Sequence, residues 1–242
     1  MIVIQEDLKE ISRLAAKAII DGAKKILENK NKTSKTDKNT INDFVTLALP
    51  GGRSVNGIYS ELKKIEDPIW RKIHIFLVDE RAVPITDAES NFKLIWESFA
   101  GTLVKKGFLP LENLHPLKID DSSDYGAKKY MSILEKYGSE FDIVLVSSGE
   151  DGHIAALYPD HKAMKHSGRE YIFLDDSPKP PSNRITSSVE LIHKAKLIIL
   201  LFIGESKREA YEKFNNERIP ILDCPAKLAQ KVKNSIVYTD LK

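Results

Sequence analysis

Cysteine is nearly absent. A single thiol, Cys224, in 242 residues excludes an internal disulfide and any zinc cluster built from thiolates, and it suits a reducing compartment. An excess of either charge is missing too. The 37 basic and 35 acidic side chains leave a formal net charge of +2, too little for nucleic-acid binding driven by bulk charge. No long apolar run is present. The richest stretch, AKLIILLFIG at 195–204, falls well short of the ~20 residues that cross a bilayer. The opening MIVIQEDLKEISRL has no apolar h-region of a secretory signal. The expectation is a cytoplasmic protein with neither a membrane nor a nucleic-acid partner. There is no G-x-x-x-x-G-K-[ST] nucleotide loop, no G-x-S-x-G nucleophile elbow and no internal repeat. Nothing marks a domain boundary, so residues 1–242 are read as one domain, long enough to bury a large core without staples.

What is present is an alternation of apolar runs and amphipathic segments. Leu8, Ile11, Ala15, Ala18, Ile19 and Ile26 recur at helical spacing and predict a helix from about residue 5 to 28. The lysine-rich NKNKTSKTDKNTIND, 29–43, reads as a solvated loop, with a phosphate site as the alternative. Strands are predicted at 44–50, 73–79, 141–147, 196–204 and 235–240, and helices at 54–64, 89–104, 121–137 and 205–214. Strands apolar on both faces, alternating with helices, imply a three-layer α/β/α fold around a mostly parallel, doubly wound sheet.

In such sheets ligands bind beyond the carboxyl ends of the strands, and four strands bring chemistry there. PGGRS after the first supplies Gly51 and Gly52 for a tight turn, Arg53, and Ser54 as a helix cap. Exposed N–H groups at that helix start suit a phosphate, though an ordinary strand–helix turn uses the same residues. DERAVP after the second offers Asp79, Glu80 and Arg81, either for sugar hydroxyls or as a structural ion pair and cap. GESK after the fourth places Lys207 in the first turn of a helix. There a cation opposes the macrodipole unless an anion lies between them, and a plain surface lysine is the alternative. Arg184 in SNRITSS is equally open. SSGEDGHIAALYP after the third holds His153 two residues beyond Asp151 in a glycine-flanked loop. The carboxylate can fix the imidazole tautomer and leave the other nitrogen free to deprotonate water. His74, His115, His161, His166 and His193 lack such a setting.

The segments LALPGGRSV, FLVDERAVPITDAESNFKL, IVLVSSGEDGHIAALYPDH, NRITSSVELIHKAK and LFIGESKREA, in this order across 44–214, resemble the 6-phosphogluconolactonase family, within the group that includes glucosamine-6-phosphate isomerase/deaminase. The resemblance implies a NagB/RpiA-like fold and hydrolysis of 6-phospho-D-glucono-1,5-lactone to 6-phosphogluconate, in the oxidative pentose phosphate pathway. It assigns His153 as general base and Asp151 as its orienting partner. It gives the phosphate to the loop Gly51, Gly52, Arg53, Ser54 with Arg184 and Lys207, and leaves Arg81 between phosphate and lactone carbonyl. Asp79 and Glu80 join the substrate-binding set, and main-chain N–H groups from Gly149 to His153 are candidates for the developing oxyanion. It calls for no metal and no organic cofactor. The small sugar-phosphate lactone is the one partner named, with monomer and dimer both open.

The deaminase branch reads DGHIAFNEP, whereas this chain reads DGHIAALYP and carries Tyr158 at the position of the deaminase glutamate. A phenol with pKa about 10 is a poor substitute for a carboxylate near neutrality. The alternatives to lactone hydrolysis are therefore a deaminase-type isomerase and a sugar-phosphate sensor without catalysis. Two departures stand out: PGGRSV replaces the frequent SGGSTP, and Glu150 stands where many relatives carry a small or polar residue.

Overall fold

Five apolar runs do form strands, and they lie side by side. The structure is a computed structural model describing residues 1–34 and 43–242. In chain order it contains β1 (Ile2–Gln5), α1 (Leu8–Ser34), β2 (Val45–Leu49), α2 (Asn56–Leu62), β3 (Ile73–Leu77), β4 (Asp79–Arg81), α3 (Asn91–Ile95), α4 (Gly101–Lys105), α5 (Ala127–Glu135), β5 (Ile143–Ser147), β6 (Tyr171–Leu174), β7 (Arg184–Ser187), α6 (Val189–His193), β8 (Leu197–Phe202), α7 (Arg208–Asn215) and β9 (Ser235–Thr239). Six strands make a parallel sheet in the order β1-β9-β8-β5-β2-β3. Every residue of β2 and β8 is buried, as strands covered on both faces require. Crossovers toward β3 carry α1 and α2, which pack on each other. Crossovers the other way carry α7. Right-handed connections then put these helices on opposite faces, giving the expected three-layer α/β/α arrangement.

Several local expectations are corrected. α1 begins after Asp7, whose carboxylate accepts from the Glu10 N–H at 2.9 Å, a helix cap. Residues 2–5 form an edge strand on β9 instead. The helix also runs on to Ser34, so the first part of the lysine-rich stretch is helical. Lys30 there binds Asp142 at 2.7 Å and the Phe44 carbonyl at 2.9 Å, tying the end of α1 to β5. The remainder of that stretch, 35–42, lies outside the described residues. The helix read over 121–137 is confined to α5 because Tyr125 (φ 51°) and Gly126 (φ 90°) are left-handed, a conformation no helix interior tolerates. The helix read over 89–104 exists as α3 and α4 joined by a π turn at Trp96–Ala100. Phe99 in that turn packs against Tyr59 and Trp70, with ring centroids 5.1 and 6.0 Å away.

A second sheet was not anticipated. β4, β7 and β6 pair antiparallel in the order β4-β7-β6. Val78 joins the two sheets: its N–H donates to the Leu49 carbonyl at 3.0 Å, and its own carbonyl accepts from the Ser187 N–H at 2.9 Å. The small sheet is thus pinned at the carboxyl ends of β2 and β3.

On β3, His74 Nδ1 meets His115 Nε2 at 3.0 Å, among Phe44, Phe76 and Tyr137. Burial lowers both imidazoles to about 4. One ring must donate and the other accept, so a doubly protonated pair would set two N–H groups face to face. The unfolded imidazoles titrate near 6.5, so stability from this pair is present above that pH and lost as the pH falls toward 4. Replacing both by glutamine should flatten this acid slope, a difference of about 1–3 kcal/mol between pH 7 and pH 4. Denaturant midpoints across that range measure it, and parallel curves for the two proteins would refute it.

Candidate active site

The sheet order reverses between β2 and β5. From β2 the chain steps outward to β3, then returns across β2 to build β5, β8 and β9. A crevice opens at such a switch point, and the two loops that flank it are Pro50–Ser54 and Ser148–His153. The ~1130 Å³ cavity lies elsewhere, at the amino ends of β8 and β9. The chemistry occupies the open rim.

The second loop is wound on two glycines. Gly152 has φ 91°, and a Cβ there would stand 2.9 Å from the Cys224 Sγ behind it. A Cβ on Gly149 would fall 2.0 Å from His153 Nδ1. The Gly149 N–H donates to the His153 carbonyl at 2.8 Å, and the Gly152 carbonyl accepts from the Ala226 N–H at 2.9 Å. Within this frame Asp151 Oδ1 accepts from His153 Nδ1 at 2.5 Å and from the His153 N–H at 3.1 Å. Burial pushes the Asp151 carboxyl up, but the hydrogen bond and charge of His153 outweigh it and hold the group well below the usual carboxylate range. Asp151 is therefore an anion that fixes His153 with Nδ1 protonated. Nε2 has no hydrogen bond to any described residue, and the side chain is 17% exposed. The Tyr158 ring packs 4.7 Å from the imidazole, and its hydroxyl accepts from Ser177 Oγ at 2.9 Å.

The N–H groups of this loop are fewer than the sequence suggested. Those of Gly149, Gly152 and His153 are committed to the His153 carbonyl, the Gly149 carbonyl and Asp151. The N–H groups of Glu150 and Asp151 have no acceptor among the described residues.

The first loop bends at Gly52, with φ 96°. Tyr59 donates its hydroxyl to the Pro50 carbonyl at 2.5 Å, and Asn91 Oδ1 lies where a Cβ on Gly51 would collide with it, at 1.8 Å. Neither Gly51 nor Gly52 donates its N–H to a described residue. Ser54 does not cap α2, contrary to expectation: it lies inside a 3-10 turn, and no side chain caps either the turn or α2. Arg53 is exposed on that turn. Lys207 approaches from the loop after β8 with its side chain 16% exposed. Burial lowers its pKa, opposed by Glu150 and reinforced by the positive fields of Lys179 and Arg53. Arg53 and Lys179 thus lie close enough to Lys207 for their charges to act on its ammonium. Lys179 was missed in the sequence; a lone lysine before Pro-Pro carries no signal until its loop is placed.

Asp79 faces His153. It is 5% exposed; burial raises its pKa against the lowering charges of Arg81, Arg184 and His153. Glu80 is corrected. Its carboxylate is fully buried, accepting from the N–H groups of Arg81, Asn91 and Phe92 at 2.7, 2.8 and 2.9 Å and from Ser90 Oγ at 3.0 Å. It anchors the start of α3 instead of touching a ligand. Arg184 is 5% exposed; its guanidinium donates to the carbonyls of Pro181, Pro180 and Lys179 at 3.2, 3.1 and 3.4 Å and lies 4.0 Å from Asp79. It braces the loop that presents Lys179, which the sequence reading did not foresee. Arg81 donates to the Glu89 carbonyl at 2.6 Å, while its buried Nε has no partner among the described residues. Asn91 was also missed. Its Nδ2 donates to the Asp79 carbonyl at 2.9 Å, while its Oδ1 packs close against Gly51 with no hydrogen-bond partner among the described residues. The pair Ser90–Asn91 in ESNFKL was the available signal.

Among known proteins, a 6-phosphogluconolactonase of Borreliella burgdorferi is 33% identical over 200 residues, covering 82% of this chain and 85% of its own. The crystal structure of a 6-phosphogluconolactonase from Thermotoga maritima superposes with a TM-score of 0.73 at 22% identity, covering 98% of this chain and 96% of that one. A monomeric glucosamine-6-phosphate deaminase superposes equally well, with a TM-score of 0.75 at 20% identity and coverage of 99% and 97%, so the backbone is common to both chemistries. The family described as glucosamine-6-phosphate isomerases/6-phosphogluconolactonase matches residues 6–238, and the chain belongs to it.

Proposed function

We propose that this chain hydrolyses 6-phospho-D-glucono-1,5-lactone to 6-phospho-D-gluconate. The observation that carries the reading is the Asp151–His153 pair with Nε2 open, beside a group of cations in which Lys179 acts on the Asp151 carboxylate and Arg53 and Lys179 act on Lys207. The phosphate sits on the free N–H groups of Gly51 and Gly52 with those three cations. His153 Nε2 takes a proton from water as the water oxygen bonds to the lactone C1. The anionic Asp151 stabilises the imidazolium that forms. The N–H groups of Glu150 and Asp151 meet the negative charge building on the carbonyl oxygen. The C1–O5 bond then breaks, and the imidazolium returns its proton to O5. A cytoplasmic setting suits the single buried thiol.

The deaminase alternative needs an acid–base group where Tyr158 stands. Burial raises that phenol above its ordinary value, and its oxygen already accepts from Ser177, so it cannot take a carboxylate's part. The deciding assay follows freshly made lactone against its spontaneous hydrolysis, with ammonia release from glucosamine-6-phosphate measured in parallel. Catalysed lactone loss without ammonia is the expected result; the reverse would overturn the reading. In the same assay Lys207→Ala should raise KM about tenfold or more with little change in kcat, as loss of a uniform binding contact does. An unchanged KM would remove Lys207 from the phosphate site.

A further inference from the structure

The geometry points to Glu150 as an internal counterion: its carboxylate occupies the ammonium that phosphate needs, and so sets how tightly the site holds its dianion. This rests on the phosphate-binding reading of Lys207. Glu150 Oε1 lies 4.0 Å from Lys207 Nζ, and among the acids Glu150 acts most strongly on that ammonium, ahead of Asp151. The glutamate side chain is 62% exposed whereas the lysine is 16% exposed. The lysine is therefore fixed and partly desolvated, and the glutamate can swing away.

A pair this exposed contributes little to stability, and its importance is competitive. Without a ligand the carboxylate partly satisfies a cation that would otherwise sit unpaired among Arg53 and Lys179. When a phosphate dianion arrives, it must displace the carboxylate from Lys207, and the carboxylate then remains nearby as a like charge. Both effects weaken anion binding. They weaken it most for the product, whose new carboxylate adds a third negative charge to the phosphate, so Glu150 also favours release after turnover. The tether is short because Glu150 shares its loop with Asp151 and His153, and that loop is held by Gly149, Gly152 and the Ala226 N–H.

Glu150→Gln keeps the size and removes the charge. It is expected to lower KM for the lactone, and the inhibition constants of inorganic phosphate and 6-phosphogluconate, by about three- to tenfold at low ionic strength, and to lower kcat through slower product release. Salt screens exposed charges, so the gain should shrink toward unity at 0.5–1 M NaCl. Glu97→Gln, which removes an exposed acid from the π turn, is the control and should leave all these constants in place. Constants for Glu150→Gln within twofold of wild type, in an enzyme that does hydrolyse the lactone, would overturn the counterion role alone. A similar tightening in Glu97→Gln would also overturn it, because net charge would then suffice. If wild type proves inactive on the lactone but phosphate still binds more tightly to Glu150→Gln by calorimetry, the counterion stands and the proposed reaction falls.

Discussion

Alanine in place of His153 is expected to lower kcat by a hundredfold or more, the usual contribution of a positioned general base, while inorganic phosphate still binds. The two proposed functions separate because they reside on different segments: the imidazole follows β5, whereas Arg53 follows β2, Lys207 follows β8 and Lys179 lies between β6 and β7. The substitution leaves the loop itself standing. Its bends depend on Gly149, Gly152 and main-chain bonds to Ala226 and residue 153, none of which needs the imidazole. Asp151→Asn should also be slow, since an amide can accept from Nδ1–H but supplies no charge to stabilise the imidazolium. Stopped-flow measurement of lactone loss with phosphate titration by calorimetry distinguishes the outcomes. Wild-type turnover in His153→Ala would dismiss the base; loss of phosphate binding would mean that the ring holds the pocket's shape instead.

Truncation of Glu80 should have the largest effect on stability. Glu80→Ala removes an acceptor shared by three N–H groups and one hydroxyl, all in the interior, and leaves those donors unsatisfied. A loss of about 3–5 kcal/mol follows from such breakage, or roughly 10 °C in Tm for a chain of this size. Activity should fall with it, because Asn91 loses one of its supports and Asn91 holds the Asp79 carbonyl and packs against Gly51. Glu80→Gln is the informative companion. Burial pushes the Glu80 carboxyl up to about 7 against the pull of its N–H donors. A raised carboxyl contributes stability that is complete below its unfolded pKa, near 4.5, and lost as the pH rises through 7. The glutamine variant lacks that loss, so its stability relative to wild type should improve between pH 4.5 and 7. A pH-independent difference between the two would refute the assigned titration.

The parallel sheet was legible because β2, β3, β5, β8 and β9 are buried runs long enough to stand out from their surroundings. β4, β6 and β7 are three or four residues each, and their pairing depends on a bridge at Val78 that no local pattern announces. The Asp151–His153 pair was legible because its geometry is local, two residues apart between glycines. Glu80 was misread because its partners are main-chain N–H groups at 91 and 92, which convert an apparent rim acid into an internal anchor. Arg184 was misread for a similar reason: its charge reaches carbonyls of a Pro-Pro turn, so it supports the cation at 179 from beneath. Ser54 looked like a cap from its place after two glycines, but the chain takes a 3-10 turn first and the hydroxyl never meets the helix start.

The register between β2 and β5, Leu47 opposite Ile143 and Ala48 opposite Val144, has a consequence for altering substrate length. Adjacent strands stand about 4.8 Å apart, with β8 one spacing further on. The proposed base thus hangs midway between the loops after β2 and β8, which carry Arg53 and Lys207, at a separation set by main-chain hydrogen bonding. No side-chain exchange on the strands can widen that gauge. A longer or shorter ester would have to be accommodated by lengthening or trimming the turns that overhang it.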